Sequence, residues 1–579
     1  MLNSPNDMNY KKAPGDQVDQ VISLYQKGAI EEALASAQQL IQQYPDTPII
    51  HNVLGACLSH TGQPKQSLYH FKEALKLEPS NPSTYNNLGN ILIDLQQYEE
   101  AQKLFEYAIK INPDFAEAYN NLGNARKEQK AYEEALSHYE KAIELNPDYF
   151  EAYNNLGVAF DKLKNYAQAE KNFNKAIEIS PEFAEAYSNL GSTYTDQKKY
   201  DDAIPCFEKA IQINPINEDA HITLCDLLIQ QKKKEEAILQ LKEFLEINPK
   251  SFLSRHMLGQ LFEEKGQLDE AIESYKLAIE INPNYYPSYN NLGVRYTRLG
   301  EFEKALNTFE KSLEIRDSIQ NFSNTEKEYL KPNLPESYNN IGMTQMEKGD
   351  FEEAIKAFDK ALGIDPNYSD ACFNKSLALL NLKKFERAWP LYEFRWGKPD
   401  FIRQKLSTSK PLWKPGKIER VLLWQEQGIG DIILFSSLVP ELHAESSKLI
   451  VQVDHRLIPI FKRSFCNSIE FYSTNETVLE NQYDSHIAIG SLPNYFRRTL
   501  KSFKKTATTY LKPNYNLAAE LRSDLMDKET KFLCGLTWKG GSKIHNLASN
   551  KSICLGSLAK VLFRDSVKLV SLQYGNTEE

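Results

Sequence analysis

A chain of 579 residues exceeds what one core organises, so several domains or a repeat array are expected. With 41% hydrophobic and 25% charged residues the composition is globular, and the net charge of −10 is unevenly spread. Residues 1–400 carry 43 Lys and Arg against 61 Asp and Glu, while residues 401–579 carry 25 against 17, and so acidic an array argues against a nucleic-acid scaffold, since phosphate binding needs a basic face.

The seven cysteines (57, 206, 225, 372, 466, 534, 554) form no Cys-x-x-Cys pair, which gives no metal signature and suits a reducing compartment. Met1 to Pro14 is polar and lacks the apolar core of a signal peptide. No run reaches the ~18 apolar residues of a membrane helix. A cytoplasmic protein without a membrane span is expected.

From residue 16 the chain repeats itself. Prolines close successive stretches at 45, 79, 113, 147, 181, 215, 249 and 283, a constant step of 34. A period in this range marks a solenoid of stacked units. In residues 80–113, Tyr85, Leu88, Gly89 and Leu92 fall on one stripe of a helix, and Ala101, Phe105 and Ala108 form a second stripe after a break at Gln96-Gln97. Gly89 and Ala101 are small where the helices approach, and Pro113 stops the second helix. Each unit is a helix–turn–helix whose apolar seams are buried only by stacking on its neighbours. The tyrosines at 85, 119, 153, 187, 289 and 338 belong to that seam.

These residues resemble the tetratricopeptide repeat family. Leu-Gly recurs at 54–55, 88–89, 122–123, 156–157, 190–191, 258–259 and 292–293, and alanine at 33, 101, 135, 169, 203, 237, 271, 305, 354 and 388. The step of 49 between Ala305 and Ala354 places an insertion of about 15 residues near 317–331, and such insertions map to loops. The resemblance covers about residues 16–395, roughly eleven units after a polar tail at 1–15, and implies an all-α superhelical solenoid.

With ~100° per residue, Asn87 lies on the side of its helix away from the core stripe. The same slot holds Asn121, Asn155, Asn189, Asn291, Asn340 and Asn374, with Val53, Thr223 and Met257 in other units. An amide offers donors and an acceptor to any extended peptide backbone. The pattern resembles the repeats of O-linked N-acetylglucosamine transferase, which implies an asparagine ladder holding protein or peptide clients along a concave face. The alternative reading, equally open, is that near-identical units descend from duplication and the asparagines keep a helix face polar.

The last unit decays: Arg395 stands where alanine is expected, followed by Trp396, Pro399, Pro411, Pro415 and Gly416, which reads as a proline-rich linker over 396–417. Trp396 and Trp413 are expected to pack the solenoid end against the next domain. Val421–Trp424 then reads as a buried parallel strand, Gly428 and Gly430 as a tight turn, and Asp431–Leu442 as a helix, with further strands at Leu449–Val453, Ile469–Tyr472 and His486–Ile489. Arg497, Arg498, Lys501, Lys504 and Lys505 fall at helical spacing.

The string Gln425-Glu426-Gln427-Gly428-Ile429-Gly430-Asp431, with Trp413-Lys414-Pro415-Gly416 ahead of it and Trp538-Lys539-Gly540-Gly541 after it, resembles heptosyltransferase-type glycosyltransferases fused to tetratricopeptide repeats. That resemblance implies a GT-B-type, Rossmann-like α/β domain and no cofactor beyond a nucleotide-sugar co-substrate. Asp431 is its implied general base, and Gly428, Gly430 and Lys539 lie where the donor would bind. The first Rossmann-like half spans 418–512. The second begins at 513 and is incomplete at 579, since two strands, Phe532–Trp538 and Leu569–Gln573, do not make an independent sheet. Two functions stay open: a glycosyltransferase whose repeats select protein acceptors, or a non-enzymatic interaction scaffold with a vestigial transferase module.

Overall fold

The computed structural model describes residues 13–319, 334–398, 405–426, 428–505, 510–525, 532–536 and 567–571. Two compact units result, residues 1–261 and 262–579.

In the first unit, helices of 13 and 14 residues alternate: Pro82–Asp94 with Tyr98–Ile111, Ala116–Glu128 with Tyr132–Leu145, Phe150–Lys162 with Tyr166–Ile179, and Ala184–Asp196 with Tyr200–Ile213. What joins each pair is a small residue against a ring. Gly89, Gly123, Gly157 and Gly191 face Phe105, Tyr139, Phe173 and Phe207, and a Cβ added at Gly123 would lie 2.6 Å from Cε1 of Tyr139. Ala101, Ala135, Ala169 and Ala203 are fully buried between the helices. The seam tyrosines sit at its margin: Tyr289 is buried, whereas Tyr85, Tyr119, Tyr153, Tyr187 and Tyr338 are half-buried.

The turn inside each pair needs one residue with positive φ. Glycine fills it at Gly28, Gly62, Gly266, Gly300 and Gly349; Gln96, Lys130, Lys164, Lys198, Lys232 and Lys383 fill it elsewhere, at φ between 59° and 64°. A side chain there crowds the following carbonyl.

The second unit continues with Leu268–Ile281, Tyr286–Arg298, Phe302–Ile319, Leu334–Lys348, Phe351–Ile364, Ser369–Asn381 and Phe385–Tyr392. Residues 320–333, which contain most of the expected insertion, lie outside the described residues. Helices Tyr286–Arg298 and Leu334–Lys348, from the repeats before and after it, are nonetheless neighbours, since Thr297 Oγ1 and Thr344 Oγ1 share a hydrogen bond of 2.7 Å.

Beyond the repeats, β1 (Arg420–Trp424), β2 (Lys448–Val453), β3 (Glu470–Ser473) and β4 (Ser485–Ala488) form a parallel sheet in the order β3-β2-β1-β4. Leu422 pairs with Ile450 on one side and His486 on the other. The strands fall within a residue or so of their expected places. The expected helix 431–442 is interrupted: Ile429–Phe435 gives way to a 3₁₀ turn at Ser436–Leu438 before Val439–Ala444. Pro440 is the reason, because it has no N–H to donate and its ring crowds the preceding turn. The basic run is likewise no helix face, as only Leu500–Lys505 is helical, as a 3₁₀ turn. Arg497 is turned inward, 4% exposed, with its Nη1 2.9 Å from Glu441 Oε2. Strands β5 (Phe532–Leu536) and β6 (Val567–Ser571) pair in parallel.

One core runs through the last repeat and this sheet. Trp389 and Tyr392 pack with Val421, Leu423, Ile432, Leu449 and Val451, and Phe373, Leu377, Leu380 and Phe385 close on the same cluster. The open apolar face that a terminal repeat would expose is thereby covered. The proline-rich stretch also takes part. Trp413 is fully buried, its backbone N–H donates to the His486 carbonyl at 2.8 Å, and the His486 backbone N–H donates to the Pro411 carbonyl at 3.0 Å.

Candidate functional site

Two groups of residues meet the chemistry expected of a site. The first is the asparagine pair found in five of the repeats. In Tyr-Asn-Asn-Leu-Gly the first asparagine points inward: Asn86, Asn120, Asn154, Asn290 and Asn339 are buried. The second is half-buried at Asn87, Asn121, Asn155, Asn189, Asn291 and Asn340. The two kinds join across repeats. Asn121 Nδ2 donates to Asn86 Oδ1 at 3.0 Å, Asn155 to Asn120 at 3.0 Å and Asn189 to Asn154 at 2.9 Å. In the second unit Asn340 donates to Asn290 at 3.4 Å, and Asn374, itself buried, donates to Asn339 at 3.0 Å. Asn291 instead donates to the Tyr275 hydroxyl at 3.4 Å; the repeat before it has His256 where the inward asparagine would stand.

The ladder is therefore a row of amide–amide bonds between neighbouring repeats. The amides of Asn121, Asn155, Asn189, Asn291 and Asn340 are each fixed at one N–H, with a second N–H and an oxygen on the same group; at Asn121 that oxygen also accepts from Asn120 Nδ2 at 3.4 Å. Glu185 extends the network, its Oε1 accepting from Asn154 Nδ2 at 3.1 Å.

The second group lies at the carboxyl edge of the parallel sheet. The chain leaves β1 through Gln425 and Glu426 and enters the helix Ile429–Phe435 at Gly428, whose φ of −66° and ψ of 159° are open to any residue. Neither Gly428 nor Gly430 takes a positive φ, and a Cβ at either would meet nothing within 4 Å. The glycines thus leave space above the helix start rather than making a strained turn. Asp431 is exposed in the first turn of that helix. Lys539 lies outside the described residues.

Around this edge Gln425 Oε1 accepts the Asp454 N–H at 2.7 Å. The Arg456 guanidinium grips both Asp454 oxygens at 2.9 Å and holds that carboxyl well below the usual carboxylate range. Glu426 is 2% exposed; its Oε1 accepts from the Gly490 N–H at 3.0 Å and from Arg395 Nη2 at 3.1 Å. No group of three or more His, Cys, Asp or Glu among the described residues is placed to hold a metal ion. No helix among them is long and apolar enough to cross a membrane.

Family models described as TPR repeat or tetratricopeptide repeat match residues 18–82, 70–103, 89–130, 123–164, 150–183, 184–217, 241–273, 259–300, 288–317 and 335–368, more than half of the chain. The chain is a tetratricopeptide-repeat protein over these residues. Among curated proteins, Protein FlbA of Caulobacter vibrioides is 24% identical over 225 residues, 36% of this chain and 37% of that protein. The match thus spans little more than a third of that relative's length. Among solved structures, MamA is 28% identical over 28% of this chain and 95% of its own, with a TM-score of 0.25. YrrB, described as a TPR protein with an unusual peptide-binding site, is 24% identical over 34% of this chain and 97% of its own, with a TM-score of 0.26.

Of the expected residues, Gly428, Gly430 and Asp431 are brought together at one sheet edge. Asn87, Asn121, Asn155 and Asn189 lie on tetratricopeptide helices of the first unit, and Asn291, Asn340 and Asn374 on those of the second. Sequence reasoning overlooked the inward asparagines, although Asn-Asn doublets at a spacing of 34 were there to find. It also overlooked Gly490, Ser491 and the pairing of Arg395 with Glu426: the break in the alanine register marks Arg395, but nothing local names its partners.

Proposed function

We propose that the tetratricopeptide repeats hold an extended polypeptide through its backbone and that the chain serves as an interaction scaffold. The observation that carries this reading is the row Asn121, Asn155 and Asn189, each tethered by one amide hydrogen to the repeat before it. A side chain already immobilised loses less entropy when a ligand arrives, so each contact contributes more of its enthalpy to binding. An amide pairs with a peptide group whatever the ligand's side chains, which suits varied clients. The experiment is a peptide-array binding measurement on the full chain and on the variant with Asn121, Asn155 and Asn189 changed to alanine, at a temperature where both are folded. Loss of binding supports the reading; undiminished capture by the folded variant removes it.

A second reading is favoured by the sheet. The parallel order β3-β2-β1-β4 reverses direction at β1, and ligands of open α/β sheets bind outside the carboxyl ends of strands at such a point. Under this reading the domain is glycosyltransferase-like: Gly428 and Gly430 leave room for donor phosphates, and Asp431 takes the proton of an acceptor hydroxyl as the sugar leaves its nucleotide. Titration calorimetry of the full chain with a panel of nucleotide-sugars tests it, followed by transferase assay of Asp431→Asn. Absence of any donor binding leaves the scaffold alone.

A further inference from the structure

Arg395 lies in the short 3₁₀ turn Glu393–Gly397 that follows the last repeat helix, at the register where earlier repeats place a packing alanine. Its side chain is fully buried. Nη1 donates to Glu393 Oε1 at 2.9 Å and to the Tyr392 carbonyl at 3.3 Å. Nη2 donates to Ser491 Oγ at 2.7 Å and to Glu426 Oε1 at 3.1 Å. The guanidinium lies 4.4 Å from the centre of the Trp396 ring and 5.0 Å from that of Tyr392. Trp396 packs in turn on Trp424, the last residue of β1, with ring centres 5.6 Å apart.

Glu426 and Ser491 belong to the two segments that leave β1 and β4, the adjacent strands between which the sheet reverses. One side chain of the repeat array therefore ties both lips of the carboxyl edge, and Glu426 completes the tie through the Gly490 N–H. Stability alone does not account for such a group, because replacing a buried ion pair by well-packed apolar residues is often neutral or better, whereas its best-attested use is to fix one arrangement among several.

We infer that Arg395 is a positioning residue: through its pair with Glu426 the last repeat sets the conformation in which the chain leaves β1 at Gln425 and Glu426. The consequence is that the sheet edge acquires its shape only with the repeat attached. The inference does not require the edge to bind a nucleotide-sugar, so the two ideas can fail separately.

The test uses the full chain and hydrogen exchange read by mass spectrometry, with melting temperature alongside. Arg395→Met takes the ion-pair partner from buried Glu426, and Glu426→Leu leaves Arg395 with Glu393 as its carboxylate partner, so both are expected to melt earlier, Arg395→Met the more so. The double variant removes both charges and is expected to regain most of that loss. If the pair positions the edge, exchange across 425–431 and 489–491 rises about tenfold or more in the double variant even though its melting is restored, while β3, which the pair does not touch, keeps its protection. Arg395→Lys keeps the charge without the two-pronged fork and is expected to give intermediate exchange. A double variant with native melting and native exchange at 425–431 overturns the inference. So does exchange that rises evenly over all four strands, which marks general loosening. Should the double variant fail to fold, Glu426→Gln and Arg395→Lys decide together. The amide oxygen of the former still accepts from Gly490 and Arg395, so it serves as the control, with near-native exchange expected. Arg395→Lys, which gives up the fork to Ser491 and Glu426, carries the test: faster exchange confined to 425–431 and 489–491 in Arg395→Lys supports the inference, and native exchange there overturns it.

Discussion

Six turns between paired helices hold a lysine or glutamine at positive φ where other repeats use glycine. A left-handed backbone costs an ordinary residue ~1–2 kcal/mol, and glycine pays ~0.5–1 kcal/mol more entropy on folding. Lys130→Gly and Lys164→Gly are therefore each expected to stabilise by about 0.5–1 kcal/mol in urea unfolding. The opposite sign is expected at Gly123→Ala. Alanine gains ~1 kcal/mol of helix propensity. Its methyl, however, meets the Tyr139 ring, which is buried and held by a hydrogen bond of 2.9 Å to Asn124. Overpacking of this kind costs ~1–3 kcal/mol, so a net loss of up to about 2 kcal/mol is expected. The two asparagines of one doublet also differ. Asn154 is 1% exposed and bonds both Asn189 and Glu185, so Asn154→Ala is expected to cost about 1–3 kcal/mol, and the half-buried Asn155→Ala about 1 kcal/mol or less.

At the scale of the helix pair, the interfaces between first-unit repeats bury imidazoles as well as alanines. Burial pushes His70, His138, His221 and His256 below their ordinary pKa, His256 to about 4, and at His70 the charge of His51 adds to the effect. His51 and His70 face each other with Nδ1 atoms 3.0 Å apart, while His51 Nε2 donates to the Pro45 carbonyl, so one Nδ1 carries the only proton between the two rings. A folded pKa below the unfolded ~6.5 means the unfolded chain binds more protons, so stability is fully present above that pH and is lost as pH falls through it towards 4. The urea midpoint of the first-unit repeats is expected to drop between pH 7.5 and 5, and His256→Gln to lessen the drop. Asp94 and Asp226, whose pKa values are raised by partial desolvation, act in the opposite direction on acidification. The variant difference is therefore the quantity to measure.

For the molecule as a whole, the five tryptophans all lie beyond residue 388, and four of them, Trp389, Trp396, Trp413 and Trp424, line the joint between the last repeat and the sheet. Tryptophan emission thus reports mainly that joint. Because Trp389 donates to the Arg497 carbonyl at 2.8 Å and shares a core with Val421 and Leu449, the last repeat and the sheet are expected to unfold together. The emission midpoint in urea should coincide with the loss of exchange protection in both Ser369–Asn381 and β1. Trp389→Ala is expected to lower both by about 3–5 kcal/mol. Separate midpoints would mean that the shared core does not couple them.

The repeats were legible because a seam renewed every 34 residues leaves its alanines, glycines and prolines in the sequence at that spacing, and each unit needs only its neighbour. The parallel strands were legible as apolar runs for the same local reason. The break at Pro440 was legible in principle, since proline cannot sustain the helix that the apolar spacing suggests. Arg395, Glu426 and Ser491 were not, because their partners lie 31 and 96 residues along the chain and no spacing rule links them. Nor could periodicity tell which asparagine of a doublet turns inward. The amino-acid sequence alone sufficed for the repeat, its small-residue seams and the places of the strands along the chain. Only the tertiary structure decided that the asparagines bond to one another and that the last repeat is locked to the sheet edge, because both depend on burial that is created when distant segments exclude water together.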